Sequence, residues 1–381
     1  MKKNKKLLFL VNNLNFFVSH RLGIAVTAAN KGLDVVIGYG ESGGLDPKLL
    51  KKKGFKVHFI PISRGSINPI KELKAIFLIW KFFKKEKPDI AHLIAIKPNL
   101  YGGIISLVTG VPALVSAVSG LGTLFISKNL IIKIIRLSIY PFFKLSFNHP
   151  NQVVIVQNKD DSRKLVKWGV LNPSKIKLIK GSGVNLKNFK KLAEPKGVPV
   201  VSFAARLLVD KGVYEFVSAG KILKKRGVKA KFFLAGNLDN QNPTGLNQLD
   251  LDRIKNEASW IKILGFQKNI SKLFSRSHIV CLPSYREGFP KTLIEAAASS
   301  RAVVTTDVPG CRDAIIPFKT GLLVPKKNSA KLADAIQWLI ENPIDRVKMG
   351  KEGRKLAEKE FFIDKIIQHH LDIYKNLIKD K

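Results

Sequence analysis

Short apolar runs alternate with longer segments of helical spacing along the first half of the chain. Helices are predicted near His20–Asn30 and over Lys71–Lys85, where apolar residues recur every three or four positions. The apolar runs of strand length cover Lys6–Val11, Asp34–Gly38, Val57–Ile60, Ile90–Leu93, Ala113–Ala117 and Val153–Gln157. This alternation predicts an α/β fold in which a parallel sheet carries helices on both faces.

The alternation is interrupted near Gly183, and the segment Ala193–Pro199 that follows is rich in proline and glycine. At 381 residues, the chain fits two domains that are each long enough to bury a sizeable core. We therefore expect an N-terminal unit over residues 1–190 and a second unit over residues 198–360, joined by a linker.

A strand, a loop, a helix and another strand are predicted around residues 284–300, which read SYREGFPKTLIEAAASS between two apolar runs. Pro290 suits the first turn of a helix, because its missing N–H would have no helical partner there. The helix start beside Gly288 presents backbone N–H groups and the positive end of a helix dipole. Such a site favours an anionic group, for example a diphosphate.

Two glutamates bracket this predicted anion site. Glu287 precedes the helix, whereas Glu295 lies more than one turn into it. One carboxylate can therefore reach each side of a bound diphosphate, with sugar hydroxyls on one side and ribose hydroxyls on the other. This arrangement fits a nucleotide sugar.

A basic loop follows another predicted strand, Val200–Ala205. The loop contains Arg206 and Lys211, and helical spacing begins directly afterwards over Val213–Arg226. Ligands of open α/β sheets bind outside the carboxyl ends of the strands, which is where this loop would lie. The alternative is that both residues are ordinary solvated cations of a lysine-rich chain.

With two glutamates separated by seven residues beside a glycine and a helix start, the chain resembles the retaining glycosyltransferases of family 4. The resemblance implies the GT-B fold, in which two Rossmann-like domains face a central cleft and a C-terminal helix, here within residues 361–381, crosses back to the first domain. Segments in the C-terminal half that resemble the family are Phe232–Gly236, Trp260–Gly265, Val308–Asp313 and Gly321–Pro325. Segments in the N-terminal half that resemble bacterial enzymes of lipid-linked surface oligosaccharide assembly are Phe17–Arg21, Ile96–Asn99 and Ser119–Gly122.

The resemblance also implies roles for the residues of the predicted anion site. Arg206 and Lys211 would neutralise the donor diphosphate, while Glu287 would hold the donor sugar and Glu295 the ribose. Further donor contacts are expected from Gly288, Phe289, Lys291 and Thr292. The expected donor is a UDP-sugar, and the expected acceptor is a polyprenyl-diphosphate-linked saccharide. The sugar would move by front-face displacement, with the leaving phosphate accepting the acceptor's proton.

Two expectations for the first domain also rest on the resemblance. A histidine often faces the donor sugar in this family, and among His20, His92 and His149 we select His92, at the end of a predicted strand. Many members carry paired glycines after the first strand, whereas this chain has Asn12–Phe17 there. Phosphate contacts from the first loop are thus in doubt, and the alternatives for a substitute are side-chain amides of this loop and the turn formed by Gly120 and Gly122.

The net charge of +38 needs either a partner or a compositional explanation. The segment Leu124–Phe147 is apolar, lacks acids and is punctuated by Lys128, Lys133, Arg136 and Lys144. This pattern is typical of a segment that lies at a membrane interface, with its cations on anionic head groups. The alternatives are a general drift of the composition toward lysine and a core helix whose lysines extend to water.

The remaining features limit the function further. Cys281 and Cys311 are the only cysteines and form no metal-binding motif, which indicates a reducing compartment and no structural zinc. The acid pair in Asp250–Asp252 reads as a solvated helix face, so no metal cofactor is expected.

The apolar run near Met1–Phe17 is too short for a signal peptide, and no segment is apolar for the roughly 18 residues of a spanning helix. We expect a cytoplasmic protein, peripheral on the inner face of the membrane.

Three other functions remain alternatives. A basic nucleic-acid-binding protein would explain the charge, although no binding motif accompanies it. A non-catalytic sugar-nucleotide-binding protein would keep the same fold. A sugar 2-epimerase or a glycogen-type synthase would keep the fold and change the reaction.

Overall fold

The structure is a computed structural model that describes residues 4–63, 65, 68–121, 130–239 and 242–379. The chain divides into two compact units. Unit 1 comprises Met1–Ser182 together with Ile366–Lys381, and unit 2 comprises Gly183–Lys365. Each unit contains a parallel sheet covered by helices, which confirms the predicted α/β fold class.

Unit 1 is built on a parallel sheet with the strand order β3-β2-β1-β4-β5-β6-β7. Its strands are β1 (Lys6–Asn13), β2 (Asp34–Glu41), β3 (Lys56–Phe59), β4 (Ile90–Ile94), β5 (Ala113–Val118), β6 (Gln152–Val156) and β7 (Ile176–Leu178). Its helices are α1 (Leu14–His20), α2 (Leu22–Asn30), α3 (Lys48–Lys51), α4 (Pro69–Glu86), α5 (Ile96–Val108), α6 (Leu130–Ser146) and α7 (Lys159–Lys167).

Unit 2 repeats this plan with the strand order β10-β9-β8-β11-β12-β13. Its strands are β8 (Val200–Ala204), β9 (Lys231–Ala235), β10 (Ile261–Gly265), β11 (Ile279–Leu282), β12 (Ala302–Thr306) and β13 (Gly321–Val324). Its helices are α8 (Val213–Lys225), α9 (Gln248–Glu257), α10 (Ile270–Ser275), α11 (Lys291–Ala298), α12 (Ser329–Glu341) and α13 (Pro343–Glu360). The strand order reverses between β8 and β11, where such sheets bind ligands.

The last helix, α14 (Ile363–Lys379), contributes apolar residues to the core of unit 1. On β1, the side chains of Leu7 and Phe9 point into the core that contains residues of α1, α2 and α14. Leu8 and Leu10 point into the opposite core, which contains residues of α4 and α5. This alternation along a buried strand sorts the helices onto the two faces of the sheet.

The division between the units falls at residues 182–183, about ten residues before the linker expected from proline and glycine content. The cause is packing, because Val184 and Phe189 are buried in the core of unit 2. Glu194 is also tied to unit 2, since it forms an ion pair with Arg346 at 2.8 Å. A bridge between Val184 and Phe362 joins the two places where the chain passes from one unit to the other.

Among the described residues, no helix combines the length and the apolar character needed to cross a bilayer.

Candidate active site

The carboxyl ends of β8 and β11 meet at the point where the strand order of unit 2 reverses. The loop after β8 carries Arg206 and Lys211, and the loop after β11 carries Glu287. The two loops are joined through their backbones, since the N–H of Tyr285 donates to the carbonyl of Asp210 at 2.8 Å. The fold thus brings together the basic loop and the glutamate loop of the predicted site.

Glu287 and Lys211 form an ion pair across these two loops. The hydroxyl of Ser284 donates a second hydrogen bond to Glu287 Oε1, at 2.7 Å. Both members of the ion pair are largely buried, with exposed side-chain fractions of 10% and 19% respectively. The Glu287 carboxylate is therefore held in one place, and Lys211 reaches it from the neighbouring loop.

Arg206 is paired with Asp239, with 2.5 Å between Nη1 and Oδ2. Asp239 lies beyond β9, the strand next to β8, so its loop leaves the same edge of the sheet. This aspartate was not among the residues selected from the sequence. Asp239 could have been found from its position after a predicted strand, because the same criterion selected Arg206.

Helix α11 begins immediately after this glutamate loop, with Pro290 as its N-cap residue. The hydroxyl of Thr292 donates to the carbonyl of Ala204 at 2.7 Å, which fastens the first turn to the end of β8. Lys291 lies 3.5 Å from Glu295, one turn further along the helix. Burial raises the pKa of Glu295, and the charge of Lys291 offsets part of that shift.

Two glycines allow close backbone contacts around the site. Gly212 has a φ of +75°, and a Cβ there would lie 2.2 Å from the carbonyl oxygen of Pro283. Gly310 has a φ of +79°, and a Cβ there would lie 2.6 Å from the carbonyl oxygen of Gly288 and 2.7 Å from that of Glu287. A side chain at either position would displace the glutamate loop, so both positions require glycine.

The remaining predicted donor contacts are divided between the two units. Phe289 is buried and packs edge-on against Phe361, with 5.4 Å between the ring centroids, so its side chain supports the loop from inside unit 2. Gly120 belongs to unit 1, where it follows β5 with a φ of +133°. Gly122 lies outside the described residues.

His92 lies at the centre of β4, because the strand runs to Ile94, and the expectation that it ends the strand is wrong. Its side chain is fully buried, and its Nδ1 lies 2.6 Å from the hydroxyl of Tyr374 on α14. Burial, together with the nearby His370 and Arg21, holds the pKa of His92 well below its ordinary value. These contacts give His92 a place in the core of unit 1, with no exposed surface for a substrate.

The other two histidines considered for this role differ in exposure. His149 is buried, and its ring nitrogens lie 2.9 Å from the carbonyl oxygen of Val111 and 3.1 Å from that of Asn151. His20 is partly exposed at the end of α1 and stacks on Phe16 at 4.1 Å. Of the three, only His20 is partly exposed.

Helix α6 carries the basic residues that were expected at a membrane. Lys133 and Lys144 are exposed, Arg136 is half-buried, and Lys128 lies outside the described residues. Among the α6 residues whose side chains the structure describes, the large apolar ones that are exposed are Leu130, Ile134, Leu137, Phe142 and Leu145. Its buried residues, Phe143 among them, pack against β5 and β6. The helix is therefore amphipathic, and part of its apolar surface faces solvent.

The two acids considered as a metal-binding pair have other roles. Asp250 completes a capping box at the start of α9 and accepts a hydrogen bond from Tyr214 at 3.0 Å. Asp252 pairs with Lys255 on the solvated face of the same helix. Within the part of the chain that the structure describes, no three histidine, cysteine or acidic residues are grouped so that they could hold a metal ion.

Comparison with known proteins places the chain in a family. The family models described as "Glycosyl transferases group 1" and "Glycosyl transferase 4-like" match residues 184–356 and 6–158. The chain is 32% identical to N,N'-diacetylbacillosaminyl-diphospho-undecaprenol alpha-1,3-N-acetylgalactosaminyltransferase of Campylobacter jejuni, over 87% of this chain and 88% of that protein. It is 24% identical to UDP-Gal:alpha-D-GlcNAc-diphosphoundecaprenol alpha-1,3-galactosyltransferase of Escherichia coli, over 92% and 91%. Among solved structures, Anabaena HepE in complex with UDP and glucose matches with a TM-score of 0.78 at 17% identity, over 98% of this chain and 100% of HepE.

The two Rossmann-like units, with a basic loop and a glutamate loop at the strand reversal of the second, have the GT-B fold. The chain belongs to glycosyltransferase family 4, since both halves match the family models and the Campylobacter relative aligns over most of each chain. The resemblance inferred from the glutamate spacing is thereby confirmed, and the protein is a transferase enzyme.

Proposed function

We propose that the protein transfers a sugar from a UDP-sugar to a polyprenyl-diphosphate-linked saccharide, with retention of the anomeric configuration. The observation that carries the proposal is the ion pair between Lys211 and Glu287 at the strand reversal of unit 2, beside a second pair formed by Arg206 and Asp239. Two cations and two carboxylates converge where a sheet of this kind binds its ligand. UDP is supported by the names of the Escherichia coli relative and of the HepE complex.

Donor binding is an exchange of partners in this proposal. The diphosphate replaces the carboxylates as the partner of the two cations. Arg206 breaks its ion pair with Asp239 and binds the diphosphate, and Lys211 forms an ion pair with a phosphate oxygen. Glu287 is then available to accept hydrogen bonds from hydroxyls of the donor sugar. Glu295, buried one turn into α11, accepts those of the ribose.

The reaction breaks the bond between the anomeric carbon and the diphosphate oxygen and forms a bond from that carbon to the acceptor oxygen. The acceptor's proton passes to the leaving phosphate on the same face of the sugar, which retains the configuration. Negative charge grows on the diphosphate as its bond to carbon lengthens. Arg206 and Lys211 stabilise that charge more strongly in the transition state than in the bound donor, which is how they accelerate the reaction.

A lipid-linked acceptor is supported by the names of both relatives, which contain a diphospho-undecaprenol saccharide. An enzyme with such an acceptor works at a membrane surface, and we assign this one to the cytoplasmic face. Helix α6 supports a position at a membrane surface, because its exposed apolar side chains, Leu137 and Phe142 among them, lie on the same helix as the exposed cations Lys133 and Lys144.

The test is release of UDP from a panel of UDP-sugars in the presence of polyprenyl-diphosphate saccharides, comparing wild type with Glu287→Gln. Losing a hydrogen bond to a charged group costs about 1.5–3 kcal/mol, so transfer should fall roughly tenfold to a hundredfold. Glu257→Gln, at an exposed position on α9, is the matched control and should transfer at the wild-type rate.

Equal rates of transfer for wild type and Glu287→Gln would show that this glutamate does not take part in the reaction. UDP binding without any transfer would favour the non-catalytic sugar-nucleotide-binding alternative. The anomeric proton coupling of the product, measured by NMR, tests retention separately, since an inverted product would contradict the front-face displacement.

A further inference from the structure

Helix α4 exposes a continuous apolar stripe that no part of the proposed reaction uses. Ile70, Leu73, Phe77 and Trp80 are 78%, 66%, 58% and 37% exposed, and their spacing of three, four and three residues places them on one side of the helix. The rings of Phe77 and Trp80 stack with their centroids 5.8 Å apart. An exposed apolar patch of this kind marks an interaction surface.

The stripe is separate from the face that folds unit 1. Ala75, Ile79, Phe82 and Phe83 of the same helix are buried and pack against the sheet. The helix therefore has one apolar face for its own core and a second one for an external partner. Folding of the sheet does not require the second face.

The charges on α4 indicate what that partner is. Its two acids turn away from the stripe, since Glu72 bonds to Lys97 at 2.7 Å and Glu86 is buried against Lys6 at 3.0 Å. The lysines of α4, by contrast, are all exposed: Lys71, Lys74, Lys81, Lys84 and Lys85. An apolar stripe on a helix whose exposed charges are all cations complements an anionic, amphipathic surface.

Helices α4 and α6 lie on the same face of the sheet, because α5 contacts both of them. Both helices are amphipathic, and both combine exposed apolar side chains with exposed lysines. A flat partner can contact two helices that are separated by α5, whereas a short peptide or a small molecule would occupy only one.

We propose that α4 is a second membrane contact, and that α4 and α6 together seat unit 1 on a bilayer containing anionic lipids. Ile70, Leu73 and Phe77 enter the boundary between head groups and acyl chains, and Trp80 lies at the head-group level with the lysines around it. This inference deepens the proposed function, on which it rests for the lipid-linked acceptor.

The experiment measures binding of the full chain to vesicles of phosphatidylglycerol and phosphatidylcholine, and to vesicles of phosphatidylcholine alone, by flotation. Wild type should bind the anionic vesicles and should not bind the zwitterionic vesicles of phosphatidylcholine alone. The double variant Phe77→Ser with Trp80→Ser should bind the anionic vesicles roughly tenfold more weakly. Phe318→Ser, which removes an exposed aromatic ring from unit 2, is the control and should bind as wild type does.

Lysine variants provide a matched test of the charge. Lys74→Gln with Lys81→Gln should weaken binding to anionic vesicles about fivefold for each charge removed. Lys51→Gln with Lys52→Gln removes the same charge at α3, whose Leu50 packs into the core on the opposite face of the sheet, and should change binding far less.

Three outcomes would overturn the proposal. In the first, the aromatic double variant binds anionic vesicles as tightly as wild type does. In the second, wild type binds both kinds of vesicle equally. In the third, wild type does not bind vesicles and forms a dimer that Phe77→Ser dissociates. The last outcome would assign the stripe to a second copy of the chain. Vesicle binding is measured without substrates, so a failure of sugar transfer and a failure of membrane docking are distinguished.

Discussion

Acidification should destabilise unit 1 through two buried histidines, His92 and His370. Both are fully buried in a polar cluster with Arg21 and Tyr374, which we call the buried histidine cluster. Burial holds the pKa of His92 well below its ordinary value and lowers that of His370 to about 3. Protonating either ring would place a second cation beside the Arg21 guanidinium, which is itself buried and has its pKa lowered to about 10.

The sign and the size of the effect follow from these shifts. In the unfolded chain each histidine binds a proton with a pKa of about 6.5, whereas in the folded protein both stay neutral. The stability that they contribute is therefore fully present above pH 6.5 and is lost as the pH falls below it. Between pH 7.5 and pH 5.5, His370 removes about 1.4 kcal/mol from the free energy of unfolding, and His92 lowers that free energy in the same direction.

The assay must report on unit 1 alone, because a two-unit protein need not unfold in one step. Replacing Trp260 and Trp338 of unit 2 by phenylalanine leaves Trp80 and Trp168 as fluorescent reporters in unit 1. Urea unfolding at pH 7.5, 6.5 and 5.5 then gives the loss of stability for this background protein.

The comparison is with His92→Gln and His370→Gln in the same background. The His370→Gln variant should lose about 1.4 kcal/mol less than the parent over this range, His92→Gln should also lose less, and the double variant should lose the least. His369→Gln removes an exposed histidine from the same helix and should leave the loss unchanged. If the parent and the double variant lost the same free energy, the buried histidines would not be the acid-sensitive groups.

Three further variants test unit 2. Asp239→Asn should strengthen UDP binding in calorimetry up to about fivefold, because Arg206 no longer has a competing carboxylate; weaker binding would mean that Asp239 positions Arg206. Gly310→Ala should weaken UDP binding and cost about 1–2 kcal/mol of stability, since the residue has a positive φ and faces two loop carbonyls; wild-type affinity would contradict this. Glu194→Gln should cost unit 2 about 3–5 kcal/mol by leaving the buried charge of Arg346 without its carboxylate partner, and an unchanged melting temperature would refute it.

Local patterns were sufficient to predict the fold and the loop after β11. All five residues of β4 are buried and four of them are apolar, so the short apolar pattern predicted the strand without any knowledge of its neighbours. The helix start at Pro290 was predictable for the same reason, because proline, glycine and the flanking apolar runs are all within a few residues. Signals of this kind need only the sequence near the element.

Partners that are distant in the sequence were not predictable. His92 lies 282 residues before Tyr374, and nothing near His92 distinguishes a buried histidine from one that faces a ligand. Asp239 likewise meets Arg206 only because β8 and β9 are neighbours in the sheet. On α4 the apolar residues surround much of the helix, and only the fold reveals that Phe77 lies on its exposed side.

The path of the chain between the two units determines which pieces of the protein can be produced separately. Residues 183–365 are contiguous and contain a complete core, so unit 2 expressed alone should fold and bind UDP. A fragment that ends at Ser182 would instead lack Tyr374 and its neighbours on α14, and would leave Arg21 and His92 open to water. Adding a synthetic peptide of residues 363–379 should restore the folding of that fragment, which makes unit 1 a natural split-protein reporter.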